Sequence, residues 1–258
     1  MASALWIAYL SWLESLRRRF FWISLAMSLL LLLLPAYVNA FSMGLQAFEV
    51  VAMEFGLTLM GLFSTSLALL LGCTAIPRDV ERGSLHPLLC RPIARLSYVL
   101  GQWLGVLLQL TAMLVLGGAA LMLGMFALNR QIELGIASAV FGLILESSLL
   151  AAVALAASTV ASPPLAAVVA CFVYLIGGMP DDFIDFFLRD DRGAPQLASS
   201  VEWLKSLMPH FEIFRLRYPV VHHYFILPAY YLGQASYWLG WNAVMLLLAG
   251  IRFERRDF

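Results

Sequence analysis

The sequence predicts an all-α membrane protein with six transmembrane helices, and three observations carry that prediction. Hydrophobic residues make up 62% of the 258-residue chain and charged residues 12%, where a soluble domain averages about 45–50% and about 25%. The apolar residues fall in long uncharged runs, several near or above the roughly 20 residues that cross a bilayer as a helix. Lysines and arginines also divide unequally between the two sides once the chain is threaded, and the division fits an even number of spans. The mean hydropathy of +0.87 agrees.

Residues 4–19 read as an amphipathic prelude. Leu5, Trp6, Tyr9, Leu10, Leu13 and Leu16 recur at helical spacing, with Ser11, Glu14, Ser15, Arg17 and Arg18 on the other side. Such a helix lies in the membrane interface. The first span follows over residues 20–38, with Pro35 near its far end. Arg17 to Arg19, this apolar run and Val38-Asn39-Ala40 loosely imitate a cleavable signal. The long amphipathic stretch before the arginines argues instead for an uncleaved span.

The second span is expected over residues 50–76, and Pro77 to Arg95 is the charged interruption that follows. The third, 96–128, is longer than a bilayer needs at about 1.5 Å per residue, so one end should project. Residues 129–133 make a tight turn, and the fourth span runs to residue 161, where Ser162-Pro163-Pro164 breaks the helix. The fifth is short, 165–179, stopped by Pro180-Asp181-Asp182. Residues 181–229 are too polar to span but hold two apolar-faced pieces, one with Phe183, Ile184, Phe186 and Phe187, the other with Val201, Leu204, Leu207, Met208 and Phe211. They read as short interfacial or re-entrant helices, with Pro209 dividing the second. The sixth span is 230–251, before a charged tail. The whole chain, 1–258, reads as one transmembrane domain.

With the N-terminus in the cytoplasm, ten basic residues lie inside (Arg17, Arg18, Arg19, Arg78, Arg82, Arg91, Arg95, Arg252, Arg255, Arg256) and six outside (Arg130, Arg189, Arg192, Lys205, Arg215, Arg217). Both termini are therefore expected inside, in the cytoplasmic (inner) cell membrane, with 181–229 outside.

Several function classes are excluded. The formal net charge is zero and no basic domain or arm exists, so nucleic acid is not a partner. Cys73, Cys90 and Cys171 are odd in number and lie in or beside apolar runs, so they form neither a disulfide framework nor a zinc site. His222-His223 with His210 lacks converging-ligand spacing. No Gly-x-Ser-x-Gly nucleophile turn occurs, and no phosphate loop of the Gly-x-x-x-x-Gly-Lys-Ser/Thr type. No metal or cofactor is expected in this chain.

The informative stretch is residues 81–95, Glu-Arg-Gly-Ser-Leu-His-Pro-Leu-Leu-Cys-Arg-Pro-Ile-Ala-Arg. Gly83 supplies a joint, Ser84 a helix N-cap, and Pro87 is tolerated in a first turn. Leu85, Leu88 and Leu89 form an apolar edge, Pro92 ends the element, and Arg78, Arg82, Arg91 and Arg95 surround it. On its own this is a surface helix in a positive-inside loop.

The stretch resembles the loop of type-2 ABC transporter permeases, which carries Glu-x-Gly-Thr-Leu-x-x-Leu-Leu, then Pro-Ile/Val-x-Arg and a Gly-Lys pair. Glu81, Gly83, Ser84, Leu85, Leu88, Leu89, Pro92, Ile93, Arg95 and Gly101 match, with Ser84 in place of Thr, Gln102 in place of Lys, and an unusual His86-Pro87. The tail, residues 252–258, is similar to the family's Phe-x-Arg-Arg-Asp ending, and the prelude and re-entrant pieces match its elbow and outer helices. The resemblance implies a pair of permease copies, two ATPase subunits that carry ATP and Mg, and a coupling helix, residues 81–95 of the coupling loop 77–95, seated on the ATPase. Glu81, Arg82, Gly83, Ser84, Leu85, Leu88, Leu89 and Arg95 would make that contact.

Glu146, in Leu145-Glu146-Ser147-Ser148, is the carboxylate near the bilayer midplane. Two roles stand open: a hydrogen-bonded group gluing helices beside Ser147 and Ser148, or a group facing a translocation path. Glu54 is expected to reach the headgroups with no special role. Gly101-x-x-x-Gly105 and Gly117-Gly118 read as helix contacts. Three functions follow in order: an ABC permease for export or translocation, a membrane anchor passing ATPase-driven motion to an extracytoplasmic partner, and an intramembrane enzyme.

Overall fold

The computed structural model describes residues 19–41, 48–81, 95–129, 133–179, 208–222, 224 and 226–254. All regular structure among the described residues is helical. The long helices are α1 (Arg19–Phe41), α2 (Phe48–Glu81), α3 (Arg95–Asn129), α4 (Gly135–Ser158), α5 (Pro163–Gly177) and α6 (Pro228–Glu254). A 3-10 turn, Phe211–Phe214, and a five-residue helix, Arg217–Val221, lie between α5 and α6. Each segment expected to span falls on one of the long helices. The expected elbow up to residue 18, residues 82–94, and residues 180–207 lie outside the described residues.

By length and composition, three helical stretches among the described residues suit a membrane crossing: Glu49–Arg78, Leu96–Ala127 and Gly135–Ser158. Ala26–Val38 and Pro163–Gly177 are shorter apolar helices. Helix α6 has 27 residues, but Tyr230, Gln234, Tyr237 and Asn242 interrupt its apolar character. Helices α2 and α3, at 34 and 35 residues, would each extend about 50 Å, well beyond a hydrocarbon core of about 30 Å.

Helix α4 is the centre of the bundle. Of its most apolar window 78% is buried, against 44% for α2 and 39% for α3, and residues 145–155 are buried without interruption. A helix hydrophobic on every side must be covered on every side. Here α2, α3, α5 and α6 surround it, and α1 lies outside against α3 and α2. Where α2 meets α4, a Cβ on Gly72 would stand 2.8 Å from the Ala151 carbonyl oxygen, so only glycine allows that approach. Hydroxyls inside the bundle turn back to their own helix, as Ser147 Oγ to Leu143 O at 2.7 Å and Ser158 Oγ to Leu155 O at 2.8 Å. Where water is scarce, that satisfies them locally.

Indoles tie the outer helices to the centre. Trp103 of α3 donates Nε1–H to the Ser148 carbonyl at 3.2 Å, and Trp238 of α6 donates to Ser148 Oγ at 2.7 Å. The break expected at Ser162-Pro163-Pro164 is present: Ser162 is extended, and the prolines open α5, where a missing N–H costs nothing.

Candidate functional site

Helix α5 is short because its line is continued by a different part of the chain. Its 15 residues reach about 22 Å, and it runs antiparallel to α4, so that Tyr174 stands level with Glu146. At its end a Cβ on Gly177 would collide with the carbonyl oxygen of Pro209. From there the 209–221 segment follows α4 toward that helix's start. The Phe214 carbonyl occupies the space a Gly142 side chain would need, and Val220 Cγ1 lies 2.9 Å from the Cβ position of Gly135. The stretch of α4 from Gly142 to Gly135 adds about 10 Å. Helix and returning segment together cover about 32 Å, close to the thickness of a hydrocarbon core.

Such irregular backbone is tolerated inside a bundle only when packed on protein, and this segment is. Phe211, Phe214, Leu216, Val220 and Val221 are buried. The first turns of α6 hold its backbone: Tyr230 Oη and Gln234 Nε2 both donate to Ile213 O, at 2.9 and 2.6 Å, and the His210 N–H donates to Tyr237 Oη at 2.8 Å. These three α6 residues recur at helical spacing, on one face.

Arg215-Leu216-Arg217 fastens the segment to three more helices. Arg215 Nε lies 3.5 Å from Glu146 Oε1 on α4, and its Nη1 donates to the Gly178 carbonyl beyond α5 at 3.0 Å. Its guanidinium sits 5.9 Å from the Tyr174 ring centroid, while Tyr174 Oη donates to Glu146 Oε1 at 3.0 Å. The 3.5 Å contact is an ion pair more than a tight hydrogen bond; the tyrosine supplies the shorter bond. Phe211 meets Tyr174 edge-on at 5.2 Å. Arg217 points to α2, with Nε 3.5 Å from Glu54 Oε1 and Nη1 2.6 Å from Thr58 Oγ1. Leu216, between the arginines, packs over Gly142.

The sequence-derived site residues thus separate. Glu81 closes α2 and Arg95 opens α3. Arg82, Gly83, Ser84, Leu85, Leu88 and Leu89 lie outside the described residues. Glu146 lies near the middle of α4 with Tyr174 and Arg215, partners that sequence reasoning did not name. Glu54, expected to have no special role, pairs with Arg217. One signal was available: two carboxylates inside expected spans and two arginines, one residue apart, in an apolar-faced segment. Buried charges are paired. His210 meets Tyr237 through its backbone N–H and its ring Nδ1, and His222 stacks on Tyr218 at 4.3 Å, while His223 lies outside the described residues.

The family model described as ABC-2 family transporter protein matches residues 5–258. The chain belongs to the ABC-2 transporter family. It is accordingly a membrane permease of the ABC transporter kind, and the match takes in both the 81–95 stretch and the strap at residues 209–221. No curated protein matches the chain. Within this ABC-2 permease, Glu146 is a buried junction between α4, α5 and the strap.

Proposed function

We propose that this chain is the membrane subunit of an ATP-driven transporter, with six spans, both termini cytoplasmic, and a separate ATPase gripping residues 81–95. Two copies of the chain would pair and engage two ATPase subunits, which bind ATP and Mg. The observation that carries this reading is the ABC-2 family match over residues 5–258. The Glu-x-Gly-Ser-Leu-x-x-Leu-Leu pattern supports it by supplying the apolar edge Leu85, Leu88 and Leu89. Each of these side chains would contribute about 1.5–3 kcal/mol when buried in a partner groove. The surrounding arginines would pair with acids on the ATPase or hold the element at the headgroups.

The test is co-purification of the ATPase with Gly83→Val and Leu88→Asp. Both variants should insert normally, because neither alters a span, and both should lose the ATPase or uncouple its hydrolysis. A fully coupled complex in both variants, or a wild-type chain that never recovers an ATPase, refutes the reading.

The strap supports a second reading, the anchor that passes motion to an extracytoplasmic partner. Residues 209–217 are fastened to α2, α4, α5 and α6, so displacement of these helices would be delivered to a single segment. ATPase activity unaffected by any transported compound, but stimulated by an outside protein, would favour it.

A further inference from the structure

The packing fixes the height of one membrane boundary. Val220 rests on Gly135, the first residue of α4, and α5 with the strap reaches that point after about 32 Å, close to one hydrocarbon thickness. Helix α6 starts at a similar height. Tyr231 meets Phe141 and Trp238 meets Ser148, so α6 runs parallel to α4 and Pro228 stands beside the first turn of α4.

Charges and tyrosines gather at this height. Glu54 and Arg217 keep 45% and 46% of their side chains exposed, an arrangement that hydrocarbon disfavours and the polar boundary accommodates. The short helix Arg217–Val221 has two faces: Val220 and Val221 are buried, whereas Tyr218 is 61% exposed. On the exposed side Tyr218 stacks on His222 at 4.3 Å and on Tyr224 at 6.1 Å, and Tyr224 is 60% exposed. Three stacked rings thus present a broad apolar surface with polar tips. Water suits the tips and hydrocarbon suits the rings; the headgroup layer suits both. Because Arg217 is offset by Glu54, aromatic area and not net charge would hold a lipid there.

We propose that Tyr218, His222 and Tyr224 form a docking face for the phospholipid headgroup layer, at the membrane boundary where α4 begins. The partner is a lipid surface, and zwitterionic headgroups suffice. Docking there needs only a bundle that crosses the membrane, so it holds whichever side is cytoplasmic and whether or not an ATPase binds.

Fluorine NMR of the full-length protein, labelled with fluorotyrosine in phosphatidylcholine nanodiscs, tests this. Tyr218→Phe and Tyr224→Phe assign the two resonances. Three relaxation agents are compared: a lipid with a nitroxide on its headgroup, a lipid with a nitroxide near the end of its acyl chain, and a water-soluble gadolinium chelate. Both resonances should broaden most with the headgroup nitroxide, while Tyr98, 4% exposed, broadens little with any agent. Adding phosphatidylglycerol or raising the salt should leave the pattern unchanged, because screening acts on charge and not on aromatic burial. Greatest broadening by the gadolinium chelate overturns the proposal by placing the face in water, and greatest broadening by the chain-end nitroxide overturns it by placing the rings in hydrocarbon. Little broadening by all three also overturns it, since protein then covers the rings. So does a pattern that appears only with phosphatidylglycerol, which would make the contact electrostatic.

Discussion

The Glu146–Arg215 pair makes an asymmetric prediction. Arg215→Gln leaves a carboxylate that is 4% exposed facing no cation, whereas Glu146→Gln leaves a guanidinium that is 40% exposed and can turn toward solvent. Removing one partner of a buried pair costs about 3–5 kcal/mol. The lower end applies to Arg215→Gln, since Tyr174 still donates to Glu146 at 3.0 Å. Glu146→Gln resembles the loss of a partly exposed pair, about 1 kcal/mol. For chains of this size 1 kcal/mol corresponds to about 2–4 °C in Tm, so the drops should be about 6–12 °C and about 2–4 °C. The double variant should be more stable than Arg215→Gln alone, because the stranded charge is gone. Thermal unfolding of the detergent-purified protein, followed by tryptophan fluorescence, reads all three. If Glu146→Gln proves the more damaging change, or if the two effects simply add, the junction does not work as described.

Gly142→Val should push the Phe214 carbonyl out of its seat, with an overpacking cost of about 1–3 kcal/mol; a Tm equal to wild type would mean that the strap does not rest on α4. Ser148→Ala removes the acceptor of the partly buried Trp238 indole and should cost about 1 kcal/mol, the typical net worth of one hydrogen bond. Ser147→Ala, whose hydroxyl bonds only to Leu143 and Ile144 of its own helix, should be close to neutral in the same melts. Cysteines at Ser84 and Ser199 should label from opposite faces of intact cells, and labelling from one face would rule out the proposed threading.

Helix positions were legible because hydrophobic runs and breakers are local. Ser162-Pro163-Pro164 ends one helix and starts the next, whatever surrounds it. The burial of α4 was only partly legible: a run apolar on every side must be covered, but the sequence does not say by which helices. The role of Glu146 divided along the same line. Its place near mid-helix could be counted from residue numbers, and two roles stayed open because its partners lie 28 and 69 residues away. Glu54 was underestimated for the same reason, its partner Arg217 being far along the chain.

What the sequence determined by itself, then, is the helical class, the membrane-length runs and the loop pattern by which the family is known, since each is written in neighbouring residues. Only the tertiary structure decided that the short fifth helix is completed by residues 209–221, and that Arg215 and Arg217 are spent on Glu146 and Glu54. A buried charge requires a counter-charge, but any of several arginines meets that requirement on paper. Selection among them depends on which backbone can approach, here past Gly142 and Gly177, and that is a property of the packed bundle alone.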